Sequence, residues 1–305
     1  MWYNKNEVVA VAKRKKRVRY DRMILAGFLV LVVIGGTVWA VTLKGKDNKT
    51  AQGNNDTPVD VQHEDKEGME ALYFYDETRQ ERYKTYKKAN PEMSDEEVVW
   101  RVNVDIDLED YTDMNMIAPE NSDNIVLLVN KHFRLKDDYE PANLEWYEGY
   151  QMTTETKEAF SEMASAALLE DLHIRPGSTY RSIDTQRDLY NSYVTADGQE
   201  EADTYSARAG SSEHHTGRAI DLVGPDWSLD SFENTPERTW VHENGYKYGF
   251  ILRYGKDIVD ITGYMYEPWH ITYVGKEAAT IMHDKGIKSL EEYYVKYVMY
   301  HPNQQ

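Results

Sequence analysis

The sequence predicts an α+β fold: a single membrane-crossing helix near the N-terminus, then a compact domain with a small antiparallel sheet flanked by helices. Three observations predict it. One long apolar run carries no charge, several short apolar segments have the length and β-branched character of strands, and longer segments repeat their apolar residues at helical spacing. The last two kinds are mixed without the regular alternation that parallel βαβ units require, which favours α+β.

Met23 to Leu43 is the apolar run, 21 residues long. As a helix it spans about 30 Å, the thickness of a hydrocarbon core. The basic block Lys13–Arg19 precedes it, so residues 1–22 read as a cytoplasmic tail and the body of the chain as extracytoplasmic. A cleaved signal peptide is the alternative, but the run is long for a signal core and Trp39-Ala40-Val41 is a poor cleavage site. Lys44 to about Lys66 is polar and nearly free of large apolar side chains, a linker with a reach on the order of 25 Å. Glu67 to Lys88 reads as a stalk helix or a lid, ended by Asn90-Pro91, so that 44–93 form linker and stalk.

The compact domain is expected over 94–305. Ser94-Asp-Glu-Glu97 is a capping box that opens a helix through Val104. Ile125–Val129 reads as a strand, Thr154–Leu172 as a helix, and Ile174–Tyr180 as a strand leading into a helix over Thr185–Val194. Ala219–Val223, Phe250–Tyr254 and His270–Val274 are short strands. Gly275–His283 and Ser289–Tyr297 close the chain as helices, the latter behind a second capping box.

Charge and composition exclude several functions. The chain carries −18 overall, while residues 1–46 carry +8, leaving −26 on residues 47–305. A body this acidic does not bind nucleic acid through its field. The absence of cysteine removes disulfides, thiolate zinc ligands and thiol nucleophiles. Neither S-x-x-K nor G-x-S-x-G occurs, and His63-Glu64 and His242-Glu243 both lack the second His of HExxH.

What remains is a set of His and carboxylates in the last third. His214 and Asp221 are seven apart, too far to share a metal along a strand, but a turn at Thr216-Gly217 would fold them together. Glu267-Pro-Trp-His270 supplies a second imidazole and another carboxylate. Two imidazoles and a carboxylate suit zinc with an open fourth position, and Pro268 stiffens the link that sets Glu267 against His270 as a base.

Ser212-Glu-His-His-Thr-Gly-Arg-Ala-Ile-Asp221 resembles the S-x-H-x-x-G-x-A-x-D signature of the VanY-type D-alanyl-D-alanine carboxypeptidases, relatives of the lysostaphin and hedgehog group. Glu267-Pro-Trp-His270 matches their E-P-W-H, Tyr248–Tyr254 and Ile261–Tyr264 are similar to the family, and Ser178-Thr-Tyr-Arg-Ser182 with Gln186 resembles S-G-Y-R-S-x-x-x-Q. The likeness runs in family order from about Ile125 to Tyr294.

The resemblance implies a zinc carboxypeptidase domain holding one Zn2+ on His214, Asp221 and His270. Glu267 would be general base and acid, and Arg181 would steady the oxyanion or hold the terminal carboxylate. Gln186 and Ser212 would be hydrogen-bonding groups on the substrate side. The implied reaction is D,D-carboxypeptidase removal of terminal D-alanine from peptidoglycan stem pentapeptides or their lipid-linked precursor. An L,D-carboxypeptidase acting on the tetrapeptide would use the same site. A non-catalytic domain that binds or senses wall peptides would have lost a ligand or the base, and all four positions are filled. Two residues depart from the pattern. Thr179 stands where Gly is usual, and Thr272 where Arg is common, which would weaken the site if that Arg helps to hold it.

Overall fold

A computed structural model describes residues 67–300, all within a unit running from Gln62 to the C-terminus. The predicted tail, membrane segment and linker lie outside the described residues. Among the described residues no helix is long and apolar enough to cross a membrane.

Among the described residues, eight strands and eight principal helices alternate irregularly. The strands are β1 (Asn115–Met116), β2 (Phe133–Arg134), β3 (Leu144–Tyr147), β4 (Tyr150–Thr153), β5 (Pro176–Ser178), β6 (Ala219–Leu222), β7 (Phe250–Tyr254) and β8 (Glu267–Tyr273). The helices are α1 (Gln80–Ala89), α2 (Asp95–Asn103), α3 (Thr154–Leu168), α4 (Ile183–Asp197), α5 (Gln199–Tyr205), α6 (Pro236–Asn244), α7 (Lys276–Lys285) and α8 (Leu290–Tyr294).

The central sheet is antiparallel with strand order β5-β6-β8-β7. Strand alternation splits its side chains between two faces. Ile220, Leu222 and Ile271 join Met152, Phe160 and Met163 in a buried cluster under α3 and α6, while Asp221, His270 and Thr272 lie on the opposite face. The strands are therefore apolar on one side and chemically equipped on the other. A β3–β4 hairpin feeds α3, whose N-terminus is capped by Thr153 accepting from the Thr156 N–H.

Local signals set several boundaries. Ser94 caps α2 by accepting from the Glu97 N–H, and Ser289 does the same for Glu292 at α8. Glu97 does not return the bond to Ser94 but pairs with Arg101, so only half of the box forms.

Two expectations need correction. Residues 67–88 pack into the body instead of standing off it as a stalk, so the compact unit extends ahead of residue 94. Phe74 and Tyr83 are 2% and 1% exposed, packed with α2, α7 and α8 in a second core cluster. The Tyr83 hydroxyl donates to Asn103 Oδ1 at 2.5 Å, and the Asn103 amide donates to the Phe74 carbonyl at 2.6 Å. Burying each ring contributes roughly 1.5–3 kcal/mol, more than a charged helix surface needs to be held in place. Ile125–Val129 forms no strand either. Leu128 enters the same cluster, while Leu127 and Val129 meet Leu135 in a small third one. Burial on both sides imitates a strand in sequence, but no neighbouring backbone pairs with it.

Candidate metal centre

The site grows from the register of three strands. Asp221 on β6 is the Cα partner of His270 on β8 and of Ser178 on β5. Just before β6 the chain makes a 3-10 turn over Glu213–Thr216, and Gly217 ends it at φ +65°. The left-handed conformation favours glycine there, and a Cβ would also press on the tip of the Leu144 side chain at 2.9 Å. This reversal brings His214 back over Asp221.

His214 Nε2 lies 3.1 Å from Asp221 Oδ2, and His270 Nδ1 lies 3.1 Å from Asp221 Oδ1. One ligand atom from each of the three residues falls within 4.8 Å of the others, and all three residues are buried. Each imidazole is held by its other nitrogen. His214 Nδ1 donates to the Thr179 carbonyl at 2.7 Å, leaving Nε2 as a lone-pair donor. His270 turns Nε2 toward Glu213 Oε2 at 3.4 Å, leaving Nδ1 on the side of Asp221.

Glu267 and His270 are three apart on β8 and in a regular strand would face opposite ways. Leu252 pairs with Ile271 while Tyr254 pairs with Glu267, so β8 carries two extra residues there. This bulge at Pro268-Trp269 swings Glu267 round until its Oε2 is 3.6 Å from His270 Nδ1. The His242 ring donates to the Pro268 carbonyl at 2.9 Å and pins the bulge.

The electrostatics follow from burial and like charge. Asp221 is held well below the carboxylate range: burial opposes its ionisation, and His214 and His270 outweigh it. Burial pushes Glu267 up to about 8, with Asp221 adding to the effect. Burial depresses His214, whereas in His270 burial is overcome by Asp221 and Glu213, which push it to about 10.

These residues fit a divalent cation such as zinc. Around a tetrahedral ion with bonds of about 2.0–2.2 Å, ligand atoms stand about 3.3–3.6 Å apart, a few tenths of an ångström beyond the two 3.1 Å separations. Asp221 Oδ1 is buried and has no hydrogen-bond partner, His270 Nδ1 being near but not aligned to donate. Such an orphan costs about 1–3 kcal/mol, which a cation would relieve. No other such group of His and carboxylates occurs among the described residues.

Comparison with known proteins places the chain. A family model described as VanY, D-alanyl-D-alanine carboxypeptidase, matches residues 149–276. The Bacillus subtilis (strain 168) protein named "Putative carboxypeptidase YodJ" is 36% identical over 235 residues, covering 72% of this chain and 84% of that protein. The chain belongs to the VanY family. Among solved structures, the LD-carboxypeptidase LdcB is 36% identical with TM-score 0.55, over 61% of this chain and 92% of that one. VanYB in complex with D-alanine-D-alanine is 31% identical with TM-score 0.51, over 56% of this chain and 98% of that one.

In this VanY-family chain the remaining site residues have definite places. Arg181 is half-buried at the end of the β5–α4 loop, one terminal nitrogen donating to Gln186 Oε1 at 2.6 Å and the other to Ser178 Oγ at 2.8 Å. Gln186 is 1% exposed, and its amide donates to the Ala207 carbonyl at 2.7 Å. Its carbonyl oxygen thus holds Arg181 while its amide is anchored on Ala207. Ser212 is 5% exposed and caps the 3-10 turn, accepting from the His214 N–H at 3.3 Å. Thr179 fits its position, its hydroxyl donating to the Gln151 carbonyl at 2.6 Å.

Sequence reasoning missed Glu213, Arg253 and the use of His215. Glu213 accepts from Arg253 Nε and from the Thr272 hydroxyl, both at 2.6 Å. Arg253 is 1% exposed and also donates through both terminal nitrogens to Glu291. Thr272 therefore supports the site by a hydroxyl, and the guanidinium comes from the neighbouring strand. His215 donates from Nδ1 to the Arg181 carbonyl at 2.7 Å and accepts from the Gly210 N–H at 3.1 Å, tying the Arg181 loop to the turn.

Proposed function

We propose that this enzyme is a zinc-dependent D,D-carboxypeptidase that removes the terminal D-alanine from peptidoglycan stem pentapeptides. The observation that carries the reading is the convergence of His214, Asp221 and His270 beside Glu267, with Glu267 raised by burial. His214, Asp221 and His270 would hold the metal, which when bound supplies the positive charge that acidifies a water and polarises the scissile carbonyl. Glu267 takes the proton of the attacking water and returns it to the departing amine, a role suited to a carboxyl with a raised pKa in a dry pocket. Arg181, fixed by Ser178 and Gln186, faces the developing negative charge or the terminal carboxylate of the peptide. Residues 23–43 would anchor the domain in the membrane with its cleft toward the wall, a reading supported by the uncharged run, the basic block before it and the polar linker after it.

A second reading is L,D-carboxypeptidase action on the tetrapeptide, supported by the 36% identity to LdcB, a higher figure than the 31% to VanYB. Incubating the full chain with muropeptide pentapeptide and tetrapeptide, with zinc or with chelator, separates the two by mass spectrometry. Chelator-sensitive loss of one alanine from the pentapeptide alone supports D,D action, and loss from the tetrapeptide alone supports L,D action. Loss from neither, with zinc bound, overturns the carboxypeptidase reading.

A further inference from the structure

Glu213 is a buried carboxylate that is held by Arg253 and Thr272 and also faces a histidine of the metal site. It is 2% exposed, in the 3-10 turn beside His214. Its nearest cation is Arg253, but Arg253 already has a partner: Glu291, 0% exposed, takes both of its terminal nitrogens at 3.1 and 2.6 Å and is steadied by the Asn130 amide. Arg253 is shared between Glu213 and Glu291, so by itself it does not balance both carboxylates. An unmatched buried charge costs several kcal/mol, and the fold does not tolerate that without a counterpart. The other carboxylate oxygen, Oε2, accepts from the Thr272 hydroxyl at 2.6 Å and lies 3.4 Å from His270 Nε2.

We infer that Glu213 is the positioning residue for His270, holding the Nε2–H so that Nδ1 points to the metal. The inference rests on the metal reading above. A carboxylate only accepts, so this contact requires the proton on Nε2 and leaves the Nδ1 lone pair on the side of Asp221 and Glu267. The two histidines are then set by different partners: His214 by the neutral Thr179 carbonyl, His270 by a charged carboxylate that can match the cation beyond it. Thr272 keeps the carboxylate aimed, its hydroxyl bonding the same oxygen that faces His270.

The test is zinc affinity of the full chain, measured by competition with a chromophoric chelator, for wild type, Glu213→Gln and Thr272→Val. Positioning by Glu213 predicts a loss of roughly 10- to 100-fold for Glu213→Gln, and a smaller one, about threefold or more, for Thr272→Val. The cobalt-substituted visible spectrum should shift in both variants. A role confined to supporting Arg253 predicts a lowered melting temperature with affinity within threefold of wild type, and that result overturns the inference. Should Glu213→Gln fail to fold, Thr272→Val decides alone, because it keeps the side-chain shape and removes one hydroxyl. Wild type that binds no zinc stoichiometrically refutes the metal reading and this inference with it.

Discussion

Arg181 donates to Gln186 Oε1 at 2.6 Å, and Gln186 is itself buried with its amide spent on the Ala207 carbonyl. The glutamine's carbonyl oxygen is therefore committed to the arginine. Removing a hydrogen bond to a charged group costs about 1.5–3 kcal/mol. Gln186→Ala should lower kcat/KM by roughly tenfold or more while zinc content stays the same. Steady-state kinetics beside metal analysis checks this, and a Gln186→Ala enzyme with unchanged kinetics would show that Arg181 needs no such support.

Glu267→Gln should keep zinc and lose turnover. The bulge that turns residue 267 toward His270 belongs to the backbone and survives the change. Loss of the general base predicts a fall of about 10²–10⁴-fold in kcat. Stoichiometric zinc with normal turnover would remove Glu267 from the reaction.

Metal removal should destabilise the domain. A ligand at about 100 times its Kd adds about 2.7 kcal/mol, which for a domain of this size is a shift of about 5–10 °C. Calorimetry with zinc and with chelator should show that shift in wild type and none in His270→Ala.

Acid should weaken the metal-free fold through His215. Burial holds this ring neutral, its pKa pushed down to about 4. On unfolding it returns to about 6.5 and takes up a proton, so stability falls as pH drops from about 6.5 toward 4. The contribution at pH 5 is about 2 kcal/mol. Urea unfolding at pH 7 and pH 5 should give a smaller difference for His215→Gln than for wild type; equal differences would show that His215 titrates normally.

The N-terminal segment should be indispensable to folding. Phe74→Ala should cost about 3–5 kcal/mol in urea unfolding, and a chain beginning at Ser94 should show no cooperative transition. A stable, cooperative chain from Ser94 would restore the stalk.

What could be read from sequence depended on how locally each feature is encoded. Ser94 and Ser289 cap helices through bonds three residues long, and the Gly217 turn needs only its neighbours, so these were legible. The gathering of His214, Asp221, His270 and Glu267 was suggested by motif spacing. The bulge that aims Glu267 was hidden, because it exists only against β7. Glu213 carried no signal in sequence, since its partners Arg253 and Thr272 lie 40 and 59 positions away. Tyr83 sits in a helix of Lys, Arg and Glu, and its burial depends on Asn103 and the C-terminal helices.

The cross-strand pairing of Asp221 with Ser178 and His270 has a consequence for biogenesis. Each pair joins segments more than 40 residues apart, so neither forms early through local contacts. A ribosome-bound chain ending before residue 270 has no metal pocket, and a one-residue slip of β8 would turn His270 toward α3. The candidate metal centre is therefore completed only when β8 has docked, so an unfinished or misregistered copy lacks the gathered ligand set.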